Sequence, residues 1–203
     1  MISLISLLKK LPIDVGQAEM KHTSAGKRIA FSFVEDGNGK AALDIGCRDG
    51  YWSEKLKEKG YQVKSLDIEP RYDNAITHNV ETGLPFADKS FDLVWCTEVI
   101  EHLHKPSFLL EEIERVLRPG GKVILTTPNS GWWFYWIVSL WGWTPQKLQN
   151  LDHKQFFKEK DIRKIAGKNY DLFGYFPYAF FFFRISFLIG ALSPTFILVR
   201  RVC

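Results

Sequence analysis

The stretch that most constrains this 203-residue chain is a short apolar run ending in a glycine loop. Ala41 to Gly46 reads as a buried strand that runs straight into Leu43-Asp-Ile-Gly-Cys-Arg-Asp-Gly50. Glycines at the carboxyl end of a strand let a ligand approach the backbone closely. Ser53 to Lys59 then reads as a helix with Gly60 as its C-cap, and Val63 to Ile68 as a second strand. Phe91 to Cys96 is a third strand, Pro106 to Leu117 an amphipathic helix, and Lys122 to Thr127 another strand closed by Pro128-Asn129. Strands alternating with helices demand right-handed crossovers and a parallel sheet covered on both faces.

The loop is not a dinucleotide fingerprint. Asp44 precedes its first glycine and Asp49 its last, and two carboxylates repel a pyrophosphate. They suit a ligand with an ammonium and no phosphate. Asp67 ends the second strand, 21 residues after Gly46, where a carboxylate can accept both ribose hydroxyls. An adenosyl group, an amine and no phosphate together describe S-adenosylmethionine.

The stretch from Ala41 to Asn129 resembles the core of the Rossmann-like S-adenosylmethionine-dependent methyltransferases, and is similar to the ubiquinone-biosynthesis branch. The residues that carry the resemblance are Asp44-Ile-Gly46 with Gly50, Leu66-Asp-Ile68, Gly83 to Val94, Glu98-Val-Ile-Glu-His102 and Leu117-Arg-Pro-Gly-Gly-Lys-Val123, in that order. The resemblance implies a three-layer α/β sandwich around a mostly parallel seven-stranded sheet with an antiparallel last strand. It implies that Asp44 orients the loop and reaches the methionine ammonium through water, while the backbone at Gly46, Cys47 and Gly50 passes the cofactor. Asp67 would hold the ribose, Ile68 pack on the adenine, and Asn79 and Val80 read the adenine edge. Cys96 and Thr97 would lie beside the methionine part. One departure stands out: Arg48 occupies the family's middle loop glycine, so that position must tolerate a Cβ and is expected to turn its side chain to solvent.

Glu98, Glu101 and His102 follow the strand that borders the cofactor, and helical spacing would place Glu98 on one face with the other two. His153 lies 51 residues after His102. Two carboxylates and two imidazoles can bind a divalent ion, and some relatives carry a metal at matching positions. Groups that contact cofactor without a metal are the favoured reading, with His102 as general base, since neutral imidazole can take a hydroxyl proton near pH 7. His104 reads as a solvated helix-start residue. The chemistry expected is in-line methyl transfer to an oxygen of a small or lipid-like acceptor. The alternatives are a metal-assisted RNA-end 2′-O-methyltransferase and a non-catalytic partner subunit.

Composition bears on the acceptor. Thirty aromatics make up 15% of the chain, and 20 of them fall in the last 72 residues. Five of seven tryptophans lie between Trp132 and Trp143, where a lid, a membrane-surface anchor and core packing compete. Net charge is −2 over residues 1–143 and +6 over 144–203, so the basic excess is confined to the aromatic tail and a nucleic-acid partner is disfavoured. The three cysteines show no metal or redox spacing and suit a reducing, cytoplasmic setting, with contact at the membrane surface left open.

The whole chain is expected to form one domain. Lys21 to Val34 reads as a helix, and Met1 to Leu8 as a short docking helix rather than a signal peptide. Residues 130–168 hold the aromatic insert and a helix over Asp161–Lys168. Asn169 to Tyr175 and Phe196 to Arg201 resemble the family's last two strands, joined by an apolar connection over Phe180–Leu192. Arg184, Pro177 and Pro194 interrupt the only other candidate span, Tyr175 to Val199.

Overall fold

The computed structural model describes residues 24–149, 152–178 and 181–202. The docking helix expected over Met1–Leu8 lies outside the described residues, as does the start of the Lys21–Val34 helix. The described part of that helix, α1, runs Ala25–Phe31 under a Ser24 cap.

Eight strands form one sheet in the order β3-β2-β1-β4-β5-β8-β6-β7. β1 (Ala41–Ile45), β2 (Gln62–Asp67), β3 (Ala75–Thr77), β4 (Phe91–Thr97) and β5 (Leu117–Pro128) pair in parallel. β8 (Thr195–Arg201) runs antiparallel to both β5 and β6 (Asp171–Tyr178). The expected mostly parallel sheet with antiparallel strands at its C-terminal side is therefore present. It carries one strand more than expected: β7 (Phe181–Ile185) turns back against β6, where the sequence reads as an apolar connection. A continuous apolar run does not distinguish a buried helix from a strand.

Side chains alternate across the sheet, as a strand period of two requires. Leu43 and Ile45 of β1 and Val94 and Cys96 of β4 face α3 (Pro106–Val116) and α6 (Glu159–Ala166), packing on Leu109, Ile113, Val116 and Ile162. Ala42, Leu93 and Trp95 face the other way, onto Ala30 of α1 and Trp52 and Leu56 of α2 (Tyr51–Glu58). A smaller cluster beyond the carboxyl end of β5 joins Trp132, Tyr135 and Val138 to Leu148, drawing on α4 (Trp133–Ser139) and α5 (Pro145–Leu148). The parallel strands β1, β2, β4 and β5 all end on the same side, and their outgoing loops converge there.

Candidate active site

The loop after β1 is held open by local chemistry. The N–H groups of Gly46 and Cys47 both donate to the Leu66 carbonyl, at 2.8 and 3.0 Å, pinning the turn to β2. Gly46 sits at φ +77°, and a Cβ there would lie 2.4 Å from Val99 Cγ2, so only glycine fits. Gly50, at φ +79°, caps α2 under the Tyr72 ring in the same way.

Arg48 occupies the left-handed region at φ +51°. Its N–H donates to Asp67 Oδ2 at 2.8 Å and its carbonyl accepts from Arg71 N–H at 2.7 Å. Those two bonds hold a residue with a Cβ in a conformation glycine adopts freely. The residue is half-buried and lies at the cavity. Asp67 Oδ1 accepts a second backbone N–H, from Glu69 at 2.9 Å. The carboxylate is thus fixed, with a lone pair remaining on each oxygen.

The cavity measures about 350 Å³, within the range of small-ligand pockets. Its lining includes Gly46, Asp67, Ile68, Asn79 and Val80 together with Glu98, Val99 and His102. Ile68 is 62% exposed and offers an apolar flank at the cavity. Asn79 Oδ1 accepts from Glu81 N–H at 3.0 Å, capping the turn Val80–Thr82.

Asp44, Cys47, Gly50, Cys96 and Thr97 do not line the cavity. Asp44 is buried and accepts from Ser53 Oγ at 2.6 Å, and Ser53 in turn meets Ser65 Oγ at 2.8 Å. It braces the loop from beneath, and burial pushes its carboxyl up to about 7. Burial likewise pushes the Cys47 thiol up to about 12 and that of Cys96 well above its ordinary range, which favours the protonated thiol in both. Arg71, Glu69 and Lys154 also line the cavity, and sequence reasoning did not single them out. They reach it through tertiary packing, and no local motif marks them.

The helical face expected over Glu98–His102 does not form. Glu98 is left-handed at φ +58°, its N–H donating to the Thr126 carbonyl and its Oε1 accepting from Thr126 Oγ1 at 2.8 Å. A single 3-10 turn follows over Ile100–His102. Glu98 and His102 therefore face the cavity, while Glu101 points into the protein and accepts from Thr127 Oγ1 at 3.0 Å.

His153 is nevertheless brought to them. The Glu101 carbonyl accepts the N–H groups of Lys154 and Gln155, both at 2.9 Å, seating the 152–155 segment over the turn. The His102 and His153 rings meet edge to face at 4.8 Å. Ligand atoms of Glu101, His102 and His153 all lie within 4.8 Å of one another. Burial and the Glu98 carboxylate push Glu101 well up, while burial and neighbouring His102 push His153 down to about 4. Burial also lowers His102, so both imidazoles are neutral near pH 7. His104 is exposed, and its Nδ1 lies 3.1 Å from Glu81 Oε1.

The family model for a methyltransferase domain matches residues 17–172. The chain belongs to the S-adenosylmethionine-dependent methyltransferases. It is 32% identical over 161 residues to a ubiquinone biosynthesis O-methyltransferase of Idiomarina loihiensis, covering 68% of this chain and 65% of that protein. A protein of the same name from a Caulobacter species is 30% identical over 174 residues, covering 73% and 68%. The chain thus spans about two thirds of the length of these relatives. A methyltransferase structure from Archaeoglobus fulgidus shares the fold, with a TM-score of 0.63 at 17% identity over 86% of this chain and 91% of that one. The family's cofactor is S-adenosylmethionine. The residues present fit it: a glycine turn that excludes any Cβ, a fixed carboxylate with lone pairs to spare and an exposed apolar flank.

Proposed function

We propose that this methyltransferase acts on an oxygen of a small, lipid-like acceptor. The observation that carries the reading is one cavity lined by Gly46, Asp67 and Ile68 and also by Glu98 and His102. Bound S-adenosylmethionine supplies a sulfonium-activated methyl group. Asp67 holds the ribose hydroxyls, Ile68 packs on the adenine, and Asn79 and Val80 bound its edge. The brace from Asp44 through Ser53 to Ser65 keeps the loop rigid. His102, neutral and on the cavity wall, would take the proton of the acceptor's hydroxyl. The names of the matched relatives support a quinone-like acceptor, and the aromatic Trp132–Trp143 segment at the same end of the sheet supports its lipid character.

A second reading is favoured by the buried cluster. Glu101 Oε1 and His153 Nε2 are buried without a hydrogen-bond partner among the described residues, as ligand atoms would be without their ion. In that reading Glu101, His102 and His153 hold a divalent cation, which supplies positive charge to acidify an acceptor hydroxyl, and His102 is a ligand instead of the base.

Transfer of labelled methyl from S-adenosylmethionine to a lipid extract tests the main reading. Extractable label that disappears with His102→Ala supports it, and label incorporated only into RNA overturns the acceptor class. Activity abolished by a chelator and restored by a divalent ion selects the second reading.

A further inference from the structure

We propose that the outer face of α4, together with Phe187 and Leu188, docks the protein on an anionic lipid bilayer. This deepens the lipid-like acceptor reading by naming the surface from which that acceptor arrives. α4 buries Trp132, Tyr135 and Val138 against Leu148, so its inward stripe is already satisfied. Its outward positions are apolar as well. Trp133, Trp136, Ile137, Leu140 and Trp141 are 42, 81, 40, 81 and 68% exposed, at the spacing i, i+3, i+4, i+7, i+8. That spacing is the stripe a surface helix ordinarily turns toward a core. Here it faces outward, and none of these residues lines the cavity.

A second apolar point emerges beside it. Phe187 and Leu188 are 63 and 68% exposed, immediately before α7 (Ile189–Leu192). Asn129 ties the two regions together. Its Nδ2 donates to the carbonyls of Gly190 and Ser193, at 2.9 and 2.7 Å, while its Oδ1 accepts from Gly131 N–H just ahead of α4. Both patches therefore spring from the carboxyl end of β5, the cavity's end of the sheet.

Charge decides the occupant. Residues 130–151 and 172–202 contain no Asp or Glu, and the carboxylate beside α7, Glu159, is taken up by the Gly190 N–H and Arg163. Lys147 places its Nζ 2.9 Å from the Gly142 carbonyl, at the end of the stripe, and Lys158 packs beside the position of Gly131. A second copy would set like charge against like. An anionic bilayer complements the cations, and tryptophan suits its interface, where one side of the ring is apolar and the N–H is wet. No described helix is long and apolar enough to cross the membrane, so α4 would lie in the interface.

The docking element also reaches the catalytic turn. Gln149 Nε2 donates to Tyr135 Oη at 3.2 Å, and Gln149 Oε1 lies 3.4 Å from His153 Nδ1. The buried side of α4 is thus joined by side-chain contacts to the histidine that packs on His102.

Co-sedimentation of the full chain with phosphatidylcholine vesicles, with and without phosphatidylglycerol, tests the proposal. Wild type should pellet with the phosphatidylglycerol vesicles and be released by high salt. The exposed-surface variant Trp136→Ser/Leu140→Ser/Trp141→Ser should lose at least about tenfold in partitioning while binding S-adenosylmethionine unchanged. Wild type remaining in the supernatant with both vesicle types overturns the proposal, as does pelleting unaffected by the substitutions. A dimer in light scattering that the triple variant abolishes, without vesicle binding, would assign the face to a second copy. Cofactor binding in the same samples separates failure of docking from failure of the methyltransferase reading.

Discussion

His153 Nε2 lies 4.0 Å from Glu101 Oε1, and both side chains are 1% exposed. Neither atom has a hydrogen-bond partner among the described residues. Leaving two such groups bare costs roughly 1–3 kcal/mol each, so the pair is a reservoir of free energy that a ligand between them can release. If a divalent ion is that ligand, saturating metal at about a hundredfold over Kd stabilises by ~2.7 kcal/mol. In a chain of this size that raises Tm by roughly 5–10 °C. Thermal denaturation with metal and with chelator checks this, and His153→Ala should remove the difference.

The base assignment predicts a separable defect. His102→Ala should lower kcat by roughly 100-fold or more, with the Kd for S-adenosylmethionine within about twofold of wild type. Single-turnover kinetics alongside calorimetry measure the two. Full turnover in the variant contradicts the assignment.

Asp44 predicts a pH dependence with a definite sign. Its folded carboxyl titrates near about 7 against an ordinary 3.8, so the folded state holds a proton that the unfolded state releases between those values. Its contribution is fully present below about pH 4 and is lost as pH rises toward 7. Asp44→Asn stays neutral throughout. Relative to that variant, the ligand-free wild type should lose up to about 4 kcal/mol across this window. Urea midpoints of both proteins from pH 4 to pH 8 give the comparison.

Arg48 carries strain that glycine would relieve. A residue with a Cβ in the left-handed region is disfavoured by roughly 1 kcal/mol. Arg48→Gly should therefore raise Tm by about 2–4 °C, as read by calorimetric melting. Cofactor affinity in the variant then reports what Arg48 contributes at the cavity.

The parts of this molecule legible in the sequence are those whose cause is local. The apolar run Ala41–Ile45 followed by a glycine marks a strand and its turn, and Asp67 ends the next strand. Glu98–His102 was misleading because the spacing assumes a helix, whereas Thr126 of the neighbouring strand holds Glu98 left-handed. β7 reads as a connection because an unbroken phenylalanine run carries no period. The meeting of His153 with Glu101 depends on backbone bonds spanning about fifty residues, which the linear order of residues does not record. Trp132 and Trp136 look alike in the sequence, yet one is buried and the other 81% exposed. The direction of a helix in an all-apolar stretch is set only by what it packs against.

The Gly46–Asp67 cavity is proposed to hold S-adenosylmethionine. Isothermal calorimetry of the full chain with S-adenosylmethionine tests it most directly. Wild type should bind one equivalent, and Asp67→Ala should bind roughly 10–100-fold more weakly through loss of the ribose hydrogen bonds. No heat of binding to the folded wild type, or equal affinity in the variant, would contradict the account.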